Sequence, residues 1–230
     1  MSETQQKVPE NKGADSTKKK QPRWILHYNS LSATLWFVVL SNTIYFTAFY
    51  GQPQFFTSTS RLLTVIQCFA AVEIYNSLVG NVRAPLFTTI AQVSSRLLVV
   101  LGVFTVLPNS EINYGFAYVT LSIAWSITEI VRYSFYAINI ETGGNAPDFL
   151  VWLRYSTFIP LYPLGISSEC WIIYNSLTDA DNVVGVWYKW FFIGSLLTYV
   201  PGSYVLFTYM LNSRKKVMKS LKEQSDKKKK

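Results

Sequence analysis

The sequence predicts an all-α fold, a polytopic membrane protein built as a six-transmembrane-helix bundle. Three observations lead to this prediction. A long apolar middle region lies between two lysine-rich ends. The middle region contains six mostly apolar stretches of about 20 residues, which is the length that a helix needs to cross the hydrocarbon core of a bilayer. Turn-forming residues, mainly glycine, proline, asparagine and aspartate, separate these stretches.

The chain divides into three parts. Residues 1–23 are rich in lysine and almost free of large apolar side chains, so they cannot offset the entropy of ordering and are predicted to form a disordered basic tail. Residues 24–213 form the predicted membrane domain. Residues 214–230 form a second basic tail, in which Val217 and Leu221 would let a short helix lie on the membrane surface.

The predicted spans are 31–50, 62–79, 85–107, 114–136, 149–171 and 187–211. The second and fifth spans are the weakest, because Glu73 and Glu169 interrupt their apolar character. Both tails are basic, and the positive-inside rule therefore places both termini in the cytosol. This orientation requires an even number of crossings, and it puts Arg83 in a cytosolic loop.

The net charge of +8 raises the question of which partner the basic residues meet. They lie mainly in the tails, and no soluble domain is predicted that would present a groove, so nucleic acid is not expected as a partner. Anionic membrane lipid is the expected counter-charge. The four lysines at 227–230 resemble the dilysine retrieval signal of endoplasmic reticulum membrane proteins. Neither a histidine cluster nor a cysteine pair suggests a metal site.

Several ionisable side chains lie inside the predicted spans, where each costs about 2.5–3.5 kcal/mol on insertion scales. Two interpretations stay open at this point. The charges form interhelical ion pairs, with Glu73 paired to Arg96 and Glu129 paired to a neighbouring arginine, or they line a site. Arg132 and Arg154 are near predicted cytosolic ends, where they either reach to lipid phosphates or form a cationic mouth for an anionic ligand.

The fifth predicted span is the most unusual. Pro160, Pro163 and Gly165 make a straight helix improbable, and a broken helix implies a cavity. Tyr162 and Glu169 are seven residues apart, so in a regular helix they share a face at about 10 Å along the axis. Two such side chains are able to flank a substrate held between them.

Five colinear stretches carry a resemblance to a known family. They are VEIYNS at 72–77, AQVSSRLL at 91–98, AWSITEIVRY at 124–133, LRY at 153–155 and YPLGISSE at 162–169. In these stretches the chain resembles the very-long-chain (3R)-3-hydroxyacyl-CoA dehydratases, also known as protein-tyrosine-phosphatase-like membrane proteins.

The resemblance implies a hydro-lyase that removes water from 3-hydroxyacyl-CoA to give trans-2-enoyl-CoA, the third step of fatty-acid elongation, without a cofactor. It also implies six spans, residence in the endoplasmic reticulum membrane with both termini cytosolic, and contact with the elongase and reductase subunits of the elongation complex. The family's catalytic pair falls on Tyr162 and Glu169. Its supporting positions fall on Glu73, Gln92, Arg96, Arg132, Tyr133, Arg154 and Gly165.

Dehydration needs a base for the C2 proton and an acid that helps the C3 hydroxyl leave as water. Our working assignment makes Glu169 the base and Tyr162 the acid, and the sequence leaves open whether these roles are reversed or shared. It also leaves the preferred chain length open.

Three rival functions differ in the residues that they require. A phosphatase needs a cysteine followed six residues later by an arginine, but Cys68 is followed there by Ile74, and Cys170 by Ser176. A small membrane transporter or receptor would also use broken helices and buried charges. A non-catalytic scaffold of the elongation complex is the third alternative.

Overall fold

The computed structural model describes residues 22–79 and 86–228. Three predictions concern residues outside these ranges: the disordered tail up to residue 21, the cytosolic loop around Arg83, and the last two lysines of the C-terminal run. The described residues are helical apart from short turns, and no β-strand occurs among them. The all-α prediction is therefore confirmed for this part of the chain.

Nine α-helices are present in the described ranges. They are α1 Arg23–Phe49, α2 Gln54–Phe69, α3 Ala71–Leu78, α4 Leu86–Leu97, α5 Phe116–Glu141, α6 Asp148–Arg154, α7 Phe158–Asn175, α8 Leu177–Val183 and α9 Val186–Lys228. A π-helical segment, Leu98–Thr105, continues α4 without a break. A single 3-10 turn, Glu111–Tyr114, precedes α5.

Helix covers most of each predicted span. Within the described residues, three helical stretches are long and apolar enough to cross a membrane: Arg23–Phe49, Gln54–Tyr75 and Val186–Glu223. Thr89–Thr105 is a shorter apolar helix. The chain therefore has several apolar helices that are able to span a membrane, and six crossings remains a proposal.

The fifth predicted span is interrupted, but not where its prolines predicted. The break lies at residues 155–157, between α6 and α7, whereas α7 continues through Pro163. Pro160 occupies the third position of α7. Backbone N–H groups in the first turn of a helix have no intrahelical acceptor, so the lack of an N–H on proline costs no hydrogen bond there. The span is thus a short helix followed by a long one, and the long helix carries both Tyr162 and Glu169.

The last helix is longer than its predicted span. Helix α9 runs from Val186 to Lys228 as one helix and includes the basic residues of the predicted C-terminal tail up to its end. Residues 214–228 are therefore a helical extension of α9. The turn before α9 depends on Gly185, whose φ of 121° is rarely adopted by residues with a side chain.

The helices pack in a row with a dense layer at one end. Helix α1 packs along α5, α5 along α7, and α7 along α9, while α2 lies beside α1. The π-helical segment fills the space between α2 and α7. In this layer Val99, Val103, Ile172 and Ile173 are completely buried. Helix α4 precedes the π-helical segment and makes little backbone contact with α5 or α9 in the described residues, which leaves a space between these helices.

Candidate active site

A cavity of 870 Å³ occupies the space between α4, α5, α7 and α9. Every residue proposed from the sequence as catalytic or supporting lines this cavity. These residues are Glu73, Gln92, Arg96, Arg132, Tyr133, Arg154, Tyr162, Gly165 and Glu169. The structure therefore brings together, from four helices and the end of α6, a set that spans nearly a hundred residues of sequence.

Glu169 is buried, with both carboxylate oxygens engaged. Trp125 of α5 donates a hydrogen bond from Nε1 to Glu169 Oε1 at 3.0 Å. The hydroxyl of Tyr199, on α9, donates to Glu169 Oε2 at 2.9 Å. Both donors are neutral, and only 4% of the Glu169 surface is exposed. The carboxyl group is therefore fixed in orientation by two side chains from neighbouring helices.

Tyr162 lies two turns before Glu169 on the cavity side of α7. Its hydroxyl donates a long hydrogen bond, 3.5 Å, to the backbone carbonyl of Ser203. Its ring stacks on Phe207 of α9 with the ring centroids 5.8 Å apart. Tyr162 and Glu169 thus face the same cavity, as the seven-residue spacing predicts, and the tyrosine is the less constrained of the two.

Gly165 lies between these two residues on the same face of α7. A Cβ atom at this position would lie 3.7 Å from Cβ of Ala124 and 3.9 Å from the ring of Trp125. An alanine would therefore fit in ordinary contact, but any longer side chain would enter the space in front of Trp125. Gly165 therefore lies where α7 packs against Ala124 and Trp125 of α5.

A cluster of charges joins α3, α4 and α5 along one wall of the cavity. Glu73 accepts hydrogen bonds from Arg132 at 2.7 and 2.5 Å and another from the hydroxyl of Tyr133. Glu129 is 1% exposed and forms ion pairs with both Arg96 and Arg132. The predicted pairing of Glu129 with a neighbouring arginine is confirmed.

Two of the alternatives that the sequence left open for this cluster do not occur. Glu73 pairs with Arg132 rather than with Arg96, since α4 places Arg96 against Glu129 and the face of Trp125, 5.6 Å from its ring centroid. Arg132 does not reach toward lipid phosphates, because both of its carboxylate partners lie within the bundle. The cluster holds α3 and α4 to α5 across the edge of the cavity.

Arg154 differs from the other cavity arginines. It lies at the end of α6, where its guanidinium contacts the hydroxyl of Tyr136 at 3.4 Å and the rings of Tyr136 and Tyr155 at 5.7 and 5.9 Å. Among the described residues no carboxylate lies within 4.0 Å of it. A cation that lines a cavity without an acidic partner is suited to an anionic ligand.

The structure adds three residues that the sequence-based site omitted: Trp125, Glu129 and Tyr199. Trp125 and Glu129 lie inside one of the stretches that resemble the dehydratase family. Trp125, Glu129 and Arg132 are spaced four and three residues apart, so they share one helix face, and this spacing could have indicated that they belong to the site. Tyr199 is 30 residues from Glu169 and lies on the apolar helix α9, so nothing in the local sequence distinguishes it from the other tyrosines.

The described residues contain no group of three or more His, Cys, Asp or Glu side chains arranged to hold a metal ion. What the site offers is a carboxyl group, a phenol and neutral hydrogen-bond donors in a largely apolar cavity. These are the components of general acid-base chemistry on an amphipathic substrate.

Comparisons with known proteins agree with this description. A family model described as "Protein tyrosine phosphatase-like protein, PTPLA" matches residues 67–220. The rice (Oryza sativa subsp. japonica) protein "Very-long-chain (3R)-3-hydroxyacyl-CoA dehydratase PASTICCINO 2B" is 42% identical over 184 residues, covering 75% of this chain and 82% of the rice protein.

Animal proteins are less identical to this chain but match more of its length. The Caenorhabditis elegans "Very-long-chain (3R)-3-hydroxyacyl-CoA dehydratase hpo-8" is 33% identical over 208 residues, covering 85% of this chain and 94% of the nematode protein. The mouse (Mus musculus) "Very-long-chain (3R)-3-hydroxyacyl-CoA dehydratase 1" is 30% identical over 211 residues, covering 85% of this chain and 73% of the mouse protein. No solved structure shows significant similarity to the chain.

Proposed function

The chain belongs to the protein tyrosine phosphatase-like PTPLA family, and we propose that it is a very-long-chain (3R)-3-hydroxyacyl-CoA dehydratase. The relatives named for this reaction match most of the chain. The observation that carries the proposal is that Tyr162 and Glu169 line one cavity, with the carboxyl group held by Trp125 and Tyr199. The phosphatase wording in the family description finds no support in the residues, because neither cysteine is followed by the arginine that phosphate transfer requires.

The proposed reaction is an elimination. Glu169 removes the proton from C2, the electron pair forms the C2–C3 double bond, and the C3–oxygen bond breaks. Tyr162 gives its proton to the leaving hydroxyl, which departs as water. A proton on Glu169 then returns to the phenolate to reset the site. No electrons are gained or lost overall, so the reaction needs no redox cofactor.

The hydrogen bonds of Glu169 support its assignment as the base. Both of its oxygens accept hydrogen bonds, as expected for a carboxylate, and neither donor competes as a positive charge. Tyr162 donates only a long bond to the carbonyl of Ser203, so its proton is available to a substrate hydroxyl that displaces this contact. The reverse assignment would require Glu169 to be protonated when substrate binds.

The CoA portion of the substrate is proposed to lie at the Arg154 end of the cavity. Arg154 is free of carboxylate partners among the described residues and would bind a phosphate. Beyond it, Arg214 donates from Nε to the hydroxyl of Ser156 at 3.2 Å, and the exposed Lys215 and Lys216 follow on α9. Positive charge thus increases from the cavity toward the exposed end of α9.

The remaining supporting residues are proposed to shape the cavity. Glu73, Arg96, Arg132 and Tyr133 belong to the charge cluster that holds α3 and α4 against α5. Gln92 lines the cavity on α4. It is the proposed donor to the thioester oxygen, where enolate-like charge develops during removal of the C2 proton.

The cellular setting is proposed from the sequence and the family. It comprises six membrane crossings, both termini in the cytosol, residence in the endoplasmic reticulum, and contact with elongase and reductase subunits. The basic extension of α9 would meet anionic lipid.

The test is a turnover assay on purified protein in detergent with a 3-hydroxyacyl-CoA, comparing Tyr162→Phe and Glu169→Gln with wild type. Each variant should lose activity by about a hundredfold or more, the usual contribution of a general acid or base. Tyr174→Phe and Glu111→Gln are matched controls, since both side chains are exposed. Full turnover by either site variant, in a sample that elutes and melts like wild type, would rule out the proposed pair.

A further inference from the structure

Along α7 the lining of the cavity ends at Glu169. One turn further along α7, Ile172 and Ile173 are completely buried against Phe192 of α9 and the π-helical segment. The hydroxyl of Tyr188 donates to the carbonyl of Gly102 at 2.8 Å and so joins α9 to this layer. An acyl chain whose C2 and C3 atoms lie beside Glu169 therefore has no straight path past the carboxyl group.

The wall between α4 and α9 is open at the same depth. Helix α9 packs along α7, but in the described residues its contact with α4 is slight. One polar bridge crosses the gap, from the hydroxyl of Tyr199 to the backbone carbonyl of Ser95 at 3.4 Å. Around this bridge Ser94 of α4 and Phe191 and Thr198 of α9 line the cavity and are solvent-exposed rather than buried.

Solvent-exposed side chains in the lining of a cavity indicate where the cavity opens. We call the opening bordered by Ser94, Phe191, Thr198 and Gly202 the lateral window. A Cβ atom on Gly202 would meet nothing within 4 Å, which agrees with open space on this side of α9. Because Tyr199 contacts both Ser95 and Glu169, the window lies at the level of the carboxyl group.

The chemistry of the window favours an alkyl chain. None of its four bordering residues is ionisable, and the apolar stretch of α9 that carries three of them is proposed to cross the membrane, so hydrocarbon lies outside. An alkyl chain passing from cavity to bilayer stays in an apolar medium throughout, whereas a CoA phosphate would lose its hydration. The charged end of the cavity, at Arg154, is at the opposite end of this path.

We infer that the acyl chain of the substrate leaves the cavity through the lateral window, so that its distal carbons lie among the lipid chains beside α4 and α9. This inference rests on the proposed dehydratase function. It also has a consequence for specificity. The cavity does not limit the length of the acyl chain, because the part of the chain beyond the window contacts lipid instead of protein. Wild-type kcat/KM should then show no upper limit of chain length set by the cavity.

The test narrows the window and compares a long with a short substrate in the same sample. Thr198→Trp places a bulky ring at the opening, and Leu197→Trp, on the lipid-facing side of the same turn, is the matched control. For 3-hydroxyoctadecanoyl-CoA, Thr198→Trp should lower kcat/KM by about tenfold or more, equivalent to a pair of methylene groups losing their apolar contacts. The same variant should turn over 3-hydroxybutyryl-CoA at the wild-type rate, because that chain ends inside the cavity.

A second pair of variants distinguishes narrowing of the window from a local folding defect caused by Thr198→Trp. Gly202→Leu fills the window, and Gly194→Leu adds the same side chain at an exposed position of α9 outside the cavity lining, where a Cβ also meets nothing within 4 Å. Gly202→Leu should repeat the selective loss of the long substrate, and Gly194→Leu should not.

Equal losses for long and short substrates, or no loss for the long one, would overturn the inference while leaving the dehydratase function intact. Wild-type protein that turned over neither substrate would overturn the proposed function, and the window with it.

Discussion

The charge cluster around Glu129 supports a prediction about stability. Glu129 is 1% exposed and pairs with Arg96 from α4 and Arg132 from its own helix, so it joins α4 to α5 where these helices otherwise have little contact. Glu129→Gln keeps the size of the side chain and removes the charge. We expect this variant to fold less stably than wild type, because it leaves guanidinium charge inside the bundle without its main partner.

The size of the effect follows from what each arginine retains. Removing one partner of a buried ion pair typically destabilises by about 3–5 kcal/mol. Arg132 keeps both hydrogen bonds to Glu73, and Arg96 keeps the face of Trp125, so the lower end applies, about 3 kcal/mol. For a domain of this size, each kcal/mol shifts Tm by about 2–4 °C, so the expected fall is about 6–12 °C.

Thermal unfolding in detergent, followed by tryptophan fluorescence, measures this shift. Glu111→Gln is the matched control, because Glu111 lies exposed in the 3-10 turn before α5. The double variant Arg96→Gln with Glu129→Gln should melt higher than the sum of the two single effects predicts, since it removes the stranded charge together with its partner. A Glu129→Gln sample that melts within the spread of the Glu111→Gln control would refute the reasoning.

Two further predictions concern catalysis. Tyr199→Phe removes one donor to Glu169 and should lower kcat by about tenfold or more with little change in KM, the expected loss for a hydrogen bond to a charged group. Tyr204→Phe is the control, because Tyr204 is exposed on the same helix. An unchanged kcat in Tyr199→Phe would show that Tyr199 does not position the carboxyl group. Arg154→Gln should raise KM for a CoA thioester by about tenfold or more. It should leave KM unchanged for the matching pantetheine thioester, which lacks the nucleotide. An equal rise for both thioesters would place Arg154 away from the phosphates.

The sequence predicted the helical class from patterns that are local along the chain, whereas the membership of the candidate site came from the resemblance to the dehydratase family. Apolar stretches of span length specify helices, and an ionisable side chain inside such a stretch must face a partner or a cavity. For that reason Glu73, Arg96 and Glu129 were expected either to form ion pairs or to line a site, and Arg132 either to reach lipid phosphates or to bind an anionic ligand.

Local sequence patterns predicted neither which charged residues pair nor where the fifth span is interrupted. Which acid meets which arginine depends on how α4 lies relative to α3 and α5, and this arrangement is a property of the packed bundle. The break in the fifth span lies before its prolines because Pro160 occupies a first-turn position of α7, which tolerates it. Tyr199 was missed because its role depends on α9 packing on α7 rather than on its neighbours in sequence.

The two buried acids, Glu129 and Glu169, show how one bundle supports both structure and chemistry. Glu129 faces two guanidinium groups and forms an ion pair with each. Glu169 accepts hydrogen bonds from an indole N–H and a phenol O–H, which fix its orientation. Trp125 connects the two environments, because its face contacts Arg96 while its N–H reaches Glu169. Loss of the charge cluster should therefore disturb the orientation of the carboxyl group as well as the packing of α4, so we expect Glu129→Gln to lower kcat even at temperatures where the variant is fully folded.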